Sequence, residues 1–251
     1  MYIKKLNTNL EEDILYSIIE RVDSVRKNQD LDLVLKDAQG FYDLKNLSYA
    51  GFNMGDLTLK KPFVSSTYKN EWVKHYNENH YFELDPVLKI INKTILPIDW
   101  QSFDVNNRKI KKFFAEAQDA GVGENGISVP VRGRYGDLSV FSLTRNGSEK
   151  EWLDFKRQYM RDFQVLAVHF HQSVLSTNKI LRPEFQLSDR ELEVLYWAAC
   201  GKTADEIATI LNITKRGVRF HMGNILIKMN SSNVAHAVAK GIYYNIINHP
   251  R

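Results

Sequence analysis

LSDRELEVLYWAACGKTADEIATILNITKRGVRFHMGNILIKM, residues 187–229 of a 251-residue chain, sets two helix starts close together. Ser188-Asp189-Arg190-Glu191 and Thr203-Ala204-Asp205-Glu206 both have the S/T-x-x-E spacing. In that spacing the hydroxyl accepts from the amide three residues on, and the carboxylate accepts from the cap's own N–H. The first predicted helix carries Leu192, Leu195, Tyr196 and Ala199 on one side and stops near Gly201, where a left-handed C-cap is free of any Cβ penalty. The second carries Ile207, Ala208 and Leu211. Asn212-Ile213-Thr214 leaves a three-residue turn before Val218, Ile225, Leu226 and Met229 mark the inner side of a third helix. Two helices joined by a short turn form the helix-turn-helix unit, whose second member enters the major groove. The start of that helix presents Lys215, Arg216, Arg219 and His221, donors suited to phosphates and base edges, and Thr214, Asn224 and Lys228 complete the candidate DNA-contacting set. Arg219 leads for a base edge, Lys215 and Arg216 for phosphates. Ser231 or Ser232 is the expected cap of a closing helix carrying Val234, Ala237, Val238, Ile242 and Ile246.

This stretch resembles the C-terminal DNA-binding domain of LuxR-type transcription regulators over nearly all of 187–247. Glu191, Leu195, Gly201, Ile207, Ala208, Leu211, Val218, Asn224 and Lys228 stand at that family's spacing. Gly217 stands where the family usually has Thr or Ser, and Gly223 where relatives often carry a basic or polar DNA contact. The resemblance therefore leaves the base sequence open. In mid-helix Gly223 also costs about 1 kcal/mol against Ala.

Outside this stretch, composition sets the frame. With 43% hydrophobic and 25% charged residues, the chain has the balance of a globular protein long enough for two domains. No run approaches the roughly 18 apolar residues of a membrane span, and MYIKKLNTNLEEDIL lacks a signal-peptide core, so the expected location is the cytoplasm, with no membrane partner. Cys200 is the only cysteine; it permits no intrachain disulfide and is expected to pack among apolar helix positions. Residues 177–251 hold ten Lys and Arg against six Asp and Glu, while residues 1–176 are balanced, so the whole surplus of +4 lies in the small C-terminal part. A modest basic footprint of this kind suits a module that docks on phosphates.

Upstream, Leu10, Ile14, Leu15, Ile18, Ile19, Val22 and Val25 outline an amphipathic helix, and Leu31, Val34, Leu35 and Ala38 a second. LSYAGF (47–52) and FVSST (63–67) read as neighbouring strands around a Gly/Lys-rich turn. Helical signal returns at 69–79. Asp85-Pro86 opens a short helix at Val87, 97–100 is extended, and 107–120 is helical up to Gly121. GISVPVR (126–132) and LSVFSLT (138–144) form a hairpin across a five-residue loop, and Ser148-Glu149-Lys150-Glu151 caps a long helix to about Ser176. Helices before, between and after the strands imply an α+β fold: an N-terminal α/β/α sandwich over residues 1–176, a linker over 177–186 containing Pro183, and an all-α helix-turn-helix domain over 187–251. The long helix carries Trp152, Phe155, Tyr159, Phe163, Leu166 and Phe170, more apolar surface than one sheet needs, which makes it a candidate dimer element; core packing is the equal alternative.

The decisive stretch of the large domain is TYKNEWVKHYNENHYFELDPVLKIINKTILPIDW, residues 67–100. Tyr68, Trp72 and Tyr76 share one side of a helix. An aromatic stripe most often is core, but a buried indole N–H and two phenols each need a partner, which a ligand with carbonyls supplies. Here the chain resembles the ligand domain of the same family, the acyl-homoserine lactone receptors of quorum sensing, at Trp72, Tyr76, Asp85, Pro86, Trp100 and Gly126. The resemblance implies that Trp72 donates to the lactone carbonyl, that Asp85 accepts from the ligand amide, and that Tyr68, assisted by Ser142, donates to the acyl carbonyl. It also implies that Trp100, Phe113 and Ala117 pack on the lactone ring, while Tyr76 and Val122 line the acyl pocket. Taken alone, Asp85 before Pro86 reads as a helix N-cap and Ser142 as an ordinary strand serine.

Enzyme chemistry finds no foothold. There is no G-x-S-x-G elbow, Walker loop or H-E-x-x-H, and His169 and His171 point to different helix faces, so neither catalytic residues nor a metal site nor a cofactor is expected. A response-regulator receiver would open with βα repeats, whereas this chain opens with two helices. The expected partners are an N-acyl-homoserine lactone, a second copy of the chain in a homodimer, promoter DNA bearing an inverted repeat, and RNA polymerase. The same sequence also fits a constitutive DNA-binding regulator whose large domain is a dimerisation scaffold, or one that senses a non-lactone small molecule.

Overall fold

The computed structural model describes residues 14–54, 62–104, 106–133, 136–178 and 185–247. Leu10, most of the turn before FVSST and the middle of the hairpin loop lie outside the described residues. The chain forms two compact units that divide near residue 181.

In the first unit, α1 (described over 14–24) and α2 (Asn28–Phe41) are followed by β1 (Asn46–Phe52), β2 (Phe63–Ser66), α3 (Asn70–Glu78), α4 (Pro86–Ile90), β3 (Ile98–Asp99) and α5 (Arg108–Asp119). Strands β4 (Asn125–Arg132) and β5 (Leu138–Arg145) and helix α6 (Glu149–Thr177) complete it. The sheet runs β2-β1-β5-β4-β3 with every pair antiparallel, and Arg132 faces Leu138 across the hairpin as its five-residue loop requires.

Period-two alternation divides the strands between two layers. Leu47, Tyr49, Ile127, Val129, Phe141 and Leu143 face a core built with α1, α2 and α6. On α2 the buried residues are Leu31, Val34, Leu35 and Ala38, the predicted helical stripe. The aromatic row of α6 settles its own question: Trp152, Phe155, Phe163, Leu166 and Phe170 are buried in this core, and Tyr159 packs against it. That row is therefore not a dimer face, and the apolar side chains α6 leaves exposed are Leu153, Val165 and Val168. The same layer encloses a polar relay. Tyr49 Oη lies 2.6 Å from His171 Nδ1, and His171 Nε2 lies 2.6 Å from Asp137 Oδ2. A hydroxyl carries one proton, and the imidazole nitrogen is a better acceptor than the Met54 sulfur at 3.7 Å. Tyr49 therefore donates to Nδ1, and the proton on Nε2 goes to the carboxylate.

In the second unit, α7 (Asp189–Ala199), α8 (Ala204–Leu211), α9 (Lys215–Lys228) and α10 (Val234–Tyr243) pack around Val194, Leu195, Ile207, Val218, Ile225, Met229 and Ala237. Both predicted capping boxes form, and Asn212 takes the left-handed conformation that turns α8 into α9. Several local expectations need correction. The buried side of α7 is Glu191, Val194 and Leu195, because the helix is rotated toward the side on which Glu191 meets Lys228; Leu192 and Tyr196 are only half-buried. Cys200 is exposed, since α7 ends one residue earlier and the backbone turns away at Gly201. The cap of α10 is Asn233, whose side chain accepts from the His236 amide; the Ser231 hydroxyl instead bonds the Met229 carbonyl. The helix stops at Tyr243, so Ile246 packs from beyond its end, while Val234 and Ile242 stay exposed. Phe185, counted in the linker, also packs on this core.

Candidate functional site

The other face of the sheet carries the site. Trp72 and Tyr76 stand one turn apart on α3, with Tyr68 just before it, and meet Phe113 and Ala117 of α5, Tyr81, Val122 and Trp100 in one aromatic cluster. Gly126 belongs to this arrangement. A Cβ there would lie 2.3 Å from ring atoms of Trp100, so only glycine lets the indole lie against β4.

The polar groups are threaded through this cluster. Asp85 caps α4 by accepting from Val87 N–H at 2.8 Å, and its other oxygen accepts from Tyr76 Oη at 3.0 Å. Tyr76 thus serves the carboxylate with its hydroxyl while its ring packs on the aromatic cluster. Part of the residue touches solvent, but the carboxyl itself is enclosed. Burial pushes its pKa up, against the Tyr76 hydrogen bond and the amides of Val87 and Leu88. Burial likewise raises Tyr68 to about 12, with the Asp85 charge adding to it, and raises Tyr76. Both phenols therefore remain proton donors throughout the physiological range. Trp100 Nε1 donates to Ser128 Oγ at 2.9 Å, and Ser128 and Ser142 hydroxyls lie 2.7 Å apart. Ser48 donates to Tyr68 Oη at 3.2 Å, which leaves the Tyr68 proton for another acceptor. Trp72 makes no side-chain hydrogen bond among the described residues, and its ring reaches the open cleft beside the cluster; the indole N–H that is buried without a partner is that of Trp152 in the other layer.

All nine ligand candidates (Tyr68, Trp72, Tyr76, Asp85, Trp100, Phe113, Ala117, Val122 and Ser142) are thus brought into one network. Ser48 and Ser128 were not singled out in the sequence. They are the register partners of Ser142 on its two neighbouring strands, and Ser48 pairs in turn with Ser66 of β2, so four serines cross the sheet in one row. The hairpin pairing makes Ser128 findable from Ser142, whereas Ser48 needs the long-range β1–β5 pairing.

An open cleft of about 690 Å³ lies outside this network, lined by Lys69, Glu71, Trp72, His75, Glu116, Asp119 and Ala120. It meets the aromatic cluster through Trp72, Ala120 and the contacts of His75 and Glu116 with Tyr81, and its charged rim suits solvent better than an amphiphile. Its Glu116 accepts from Tyr81 Oη and from His75 Nε2 at 2.7 Å, and these bonds hold its carboxyl down at about 2 against an ordinary 4.5. A depressed carboxylate stabilises the fold above the unfolded value and loses that contribution as pH falls through the folded one. Glu116→Gln should therefore flatten the acid loss of stability of this domain between about pH 4.5 and 2. Urea titrations across that window check it.

In the DNA-reading unit, the candidate residues divide by what they touch. Thr214 is the N-cap of α9, accepting from Gly217 N–H at 3.0 Å. Lys215 pairs with Asp205 at 2.6 Å on the surface. Lys228 is spent internally, 2.7 Å from the buried Glu191 carboxylate. Burial alone pushes Glu191 up, but Lys228 and the Ser188 amide more than offset it and hold the carboxyl below its usual range. Arg216 and Arg219 are exposed and make no hydrogen bond or ion pair among the described residues; His221 and Asn224 are half-buried beside them.

A sheet-bound aromatic and polar site on one unit and free guanidinium groups on a helix-turn-helix in the other define a ligand-responsive DNA-binding regulator. Sequence comparison agrees on both halves. The autoinducer binding domain model matches residues 30–174, and the model of bacterial regulatory proteins of the luxR family matches 186–240. The chain belongs to the LuxR family of transcription regulators, which are not enzymes. It is 34% identical to the transcriptional activator protein RaiR of Rhizobium etli, over 68% of this chain and 72% of that one. Identity to VanR of Vibrio anguillarum is 28%, over 92% and 96%. The fold is that of Escherichia coli SdiA, at a TM-score of 0.68 and 21% identity over 94% of this chain and 98% of that one. SdiA has also been solved with octanoyl-rac-glycerol, with a TM-score of 0.65, 22% identity and coverage of 94% and 96%. Among the described residues no helix is long and apolar enough to cross a membrane, and no group of three metal-ligating side chains occurs.

Proposed function

We propose that the signal is an N-acyl-homoserine lactone held between the sheet and helices α3 to α5, and that no other cofactor is required. The observation that carries this reading is the convergence of the Trp72 indole N–H, which has no hydrogen-bond partner among the described residues, one free phenol proton and one enclosed carboxylate on an apolar aromatic wall. A neutral head with two carbonyls and one amide N–H, attached to an apolar tail, matches that set group for group. The regulator would act as a homodimer on an inverted repeat, with half-sites about 10 base pairs apart, and meet RNA polymerase there. Support for two heads is that one recognition helix with two free arginines offers few contacts.

Lactone binding to the folded state alone should add about 2.7 kcal/mol at a hundredfold excess over Kd, a rise of roughly 5–10 °C in melting temperature. Thermal melts with lactones of graded chain length, and with monoacylglycerols as the competing amphiphile, test the reading. A melting temperature indifferent to every lactone, or raised only by acylglycerols, rejects it.

A further inference from the structure

We propose that α9 reads thymine 5-methyl groups in the major groove through Phe220 and Ile227, with Gly223 between them letting the helix lie close to the base edges. Phe220 is 63% exposed and Ile227 80% exposed, whereas Val218, Ile225 and Met229 on the opposite side of the helix are at most 2% exposed. Positions 220, 223 and 227 are spaced i, i+3, i+7 and so share one side, and Arg216 one turn earlier extends it. Gly223 serves nothing inside the fold. It lies in mid-helix without a positive φ, and a Cβ built on it meets no atom within 4 Å. Glycine at such a place costs helix stability, so its benefit lies in what approaches from outside.

The setting says what approaches. This apolar strip is flanked by Arg216 and Arg219, exposed cations with no partner among the described residues. Cations beside apolar groups complement a surface with phosphates at its edge and methyl groups at its centre. On the base edges of the major groove the one apolar group is the thymine methyl. Seven residues of helix rise about 10 Å, which spans about three base-pair steps.

The test separates a methyl contact from any other role. Half-sites are selected from random duplexes with the full-length chain, purified from cells grown with a panel of acyl-homoserine lactones. Affinity is then measured on the selected duplex and on one whose thymines are replaced by deoxyuridine. The methyl reading expects about a fourfold loss for each contacted methyl on the deoxyuridine duplex. It also expects the Phe220→Ala/Ile227→Ala double variant to lose ten- to twentyfold on thymine DNA and almost nothing further on deoxyuridine DNA. Gly223→Leu, which leaves the fold space free, should weaken both. Equal losses by the double variant on the two duplexes would overturn the proposal, as would a selected half-site without an invariant thymine. Unchanged DNA affinity with lost transcription activation would overturn it too, by assigning the strip to a protein partner.

Discussion

Asp85→Ala should raise the half-maximal lactone dose by roughly ten- to a hundredfold. The carboxylate is enclosed and its pKa is raised by burial, so it is an expensive group to keep unless something donates to it. Tyr76 and the Val87 amide supply two donors, and the ligand amide would supply a third. Removing a charge-assisted bond and stranding its donor costs about 1.5–3 kcal/mol, which is the stated range of dose. Because Asp85 also caps α4, the alanine variant loses about 1 kcal/mol of stability through the cap alone. Asp85→Asn keeps an oxygen for the Val87 amide and separates the two effects: its stability should stay near wild type while its ligand response stays poor. The readout is a reporter dose curve beside a urea titration of each variant. Wild-type doses in both variants would remove Asp85 from the site.

The largest effect on stability alone is expected at His171→Leu. Asp137 is 4% exposed and His171 is 4% exposed, and the ring links the carboxylate to Tyr49 through two short bonds. Leucine fills much of the volume but leaves Asp137 without the imidazole and Tyr49 without its acceptor. Breaking a buried pair on one side costs on the order of 3 kcal/mol. Tyr49→Phe removes one bond and should cost only about 1 kcal/mol. In denaturant, His171→Leu should move the transition of the first unit alone, because the helical unit has its own core. A midpoint within error of wild type would mean that the relay contributes nothing.

The parts of this chain legible in its sequence are those set by neighbours in sequence. The capping boxes at Ser148, Ser188 and Thr203 are each a four-residue pattern, and all three form. The hairpin register was readable because a five-residue loop leaves one pairing. The aromatic stripe of α3 was readable as a face, but its partners were not. That Tyr76 serves Asp85 depends on where α4 folds back, and the resemblance alone suggested an acyl wall. Lys228 reads as one more basic residue on a recognition helix until α7 brings Glu191 beneath it, 37 residues away in sequence. The rotation of α7 and the exposure of Cys200 follow from that same pairing and from a helix end displaced by one residue, details that periodicity does not resolve.

The strand order β2-β1-β5-β4-β3 also has a kinetic consequence. The central strand is the last to be synthesised. Until Arg145 has left the ribosome, β1 with β2 and β4 with β3 are two separate ribbons, each with an open edge and no strand to join them. Pairing β1 with β5 closes a loop of about ninety residues, a slow step by its contact order. Open edges of this kind pair as readily with other chains as with their own. Ser142 rides on that last strand, so no signal molecule can meet the serine row before the sheet closes. The interval between the emergence of β4 and the insertion of β5 is therefore the one in which these edges stand unpaired.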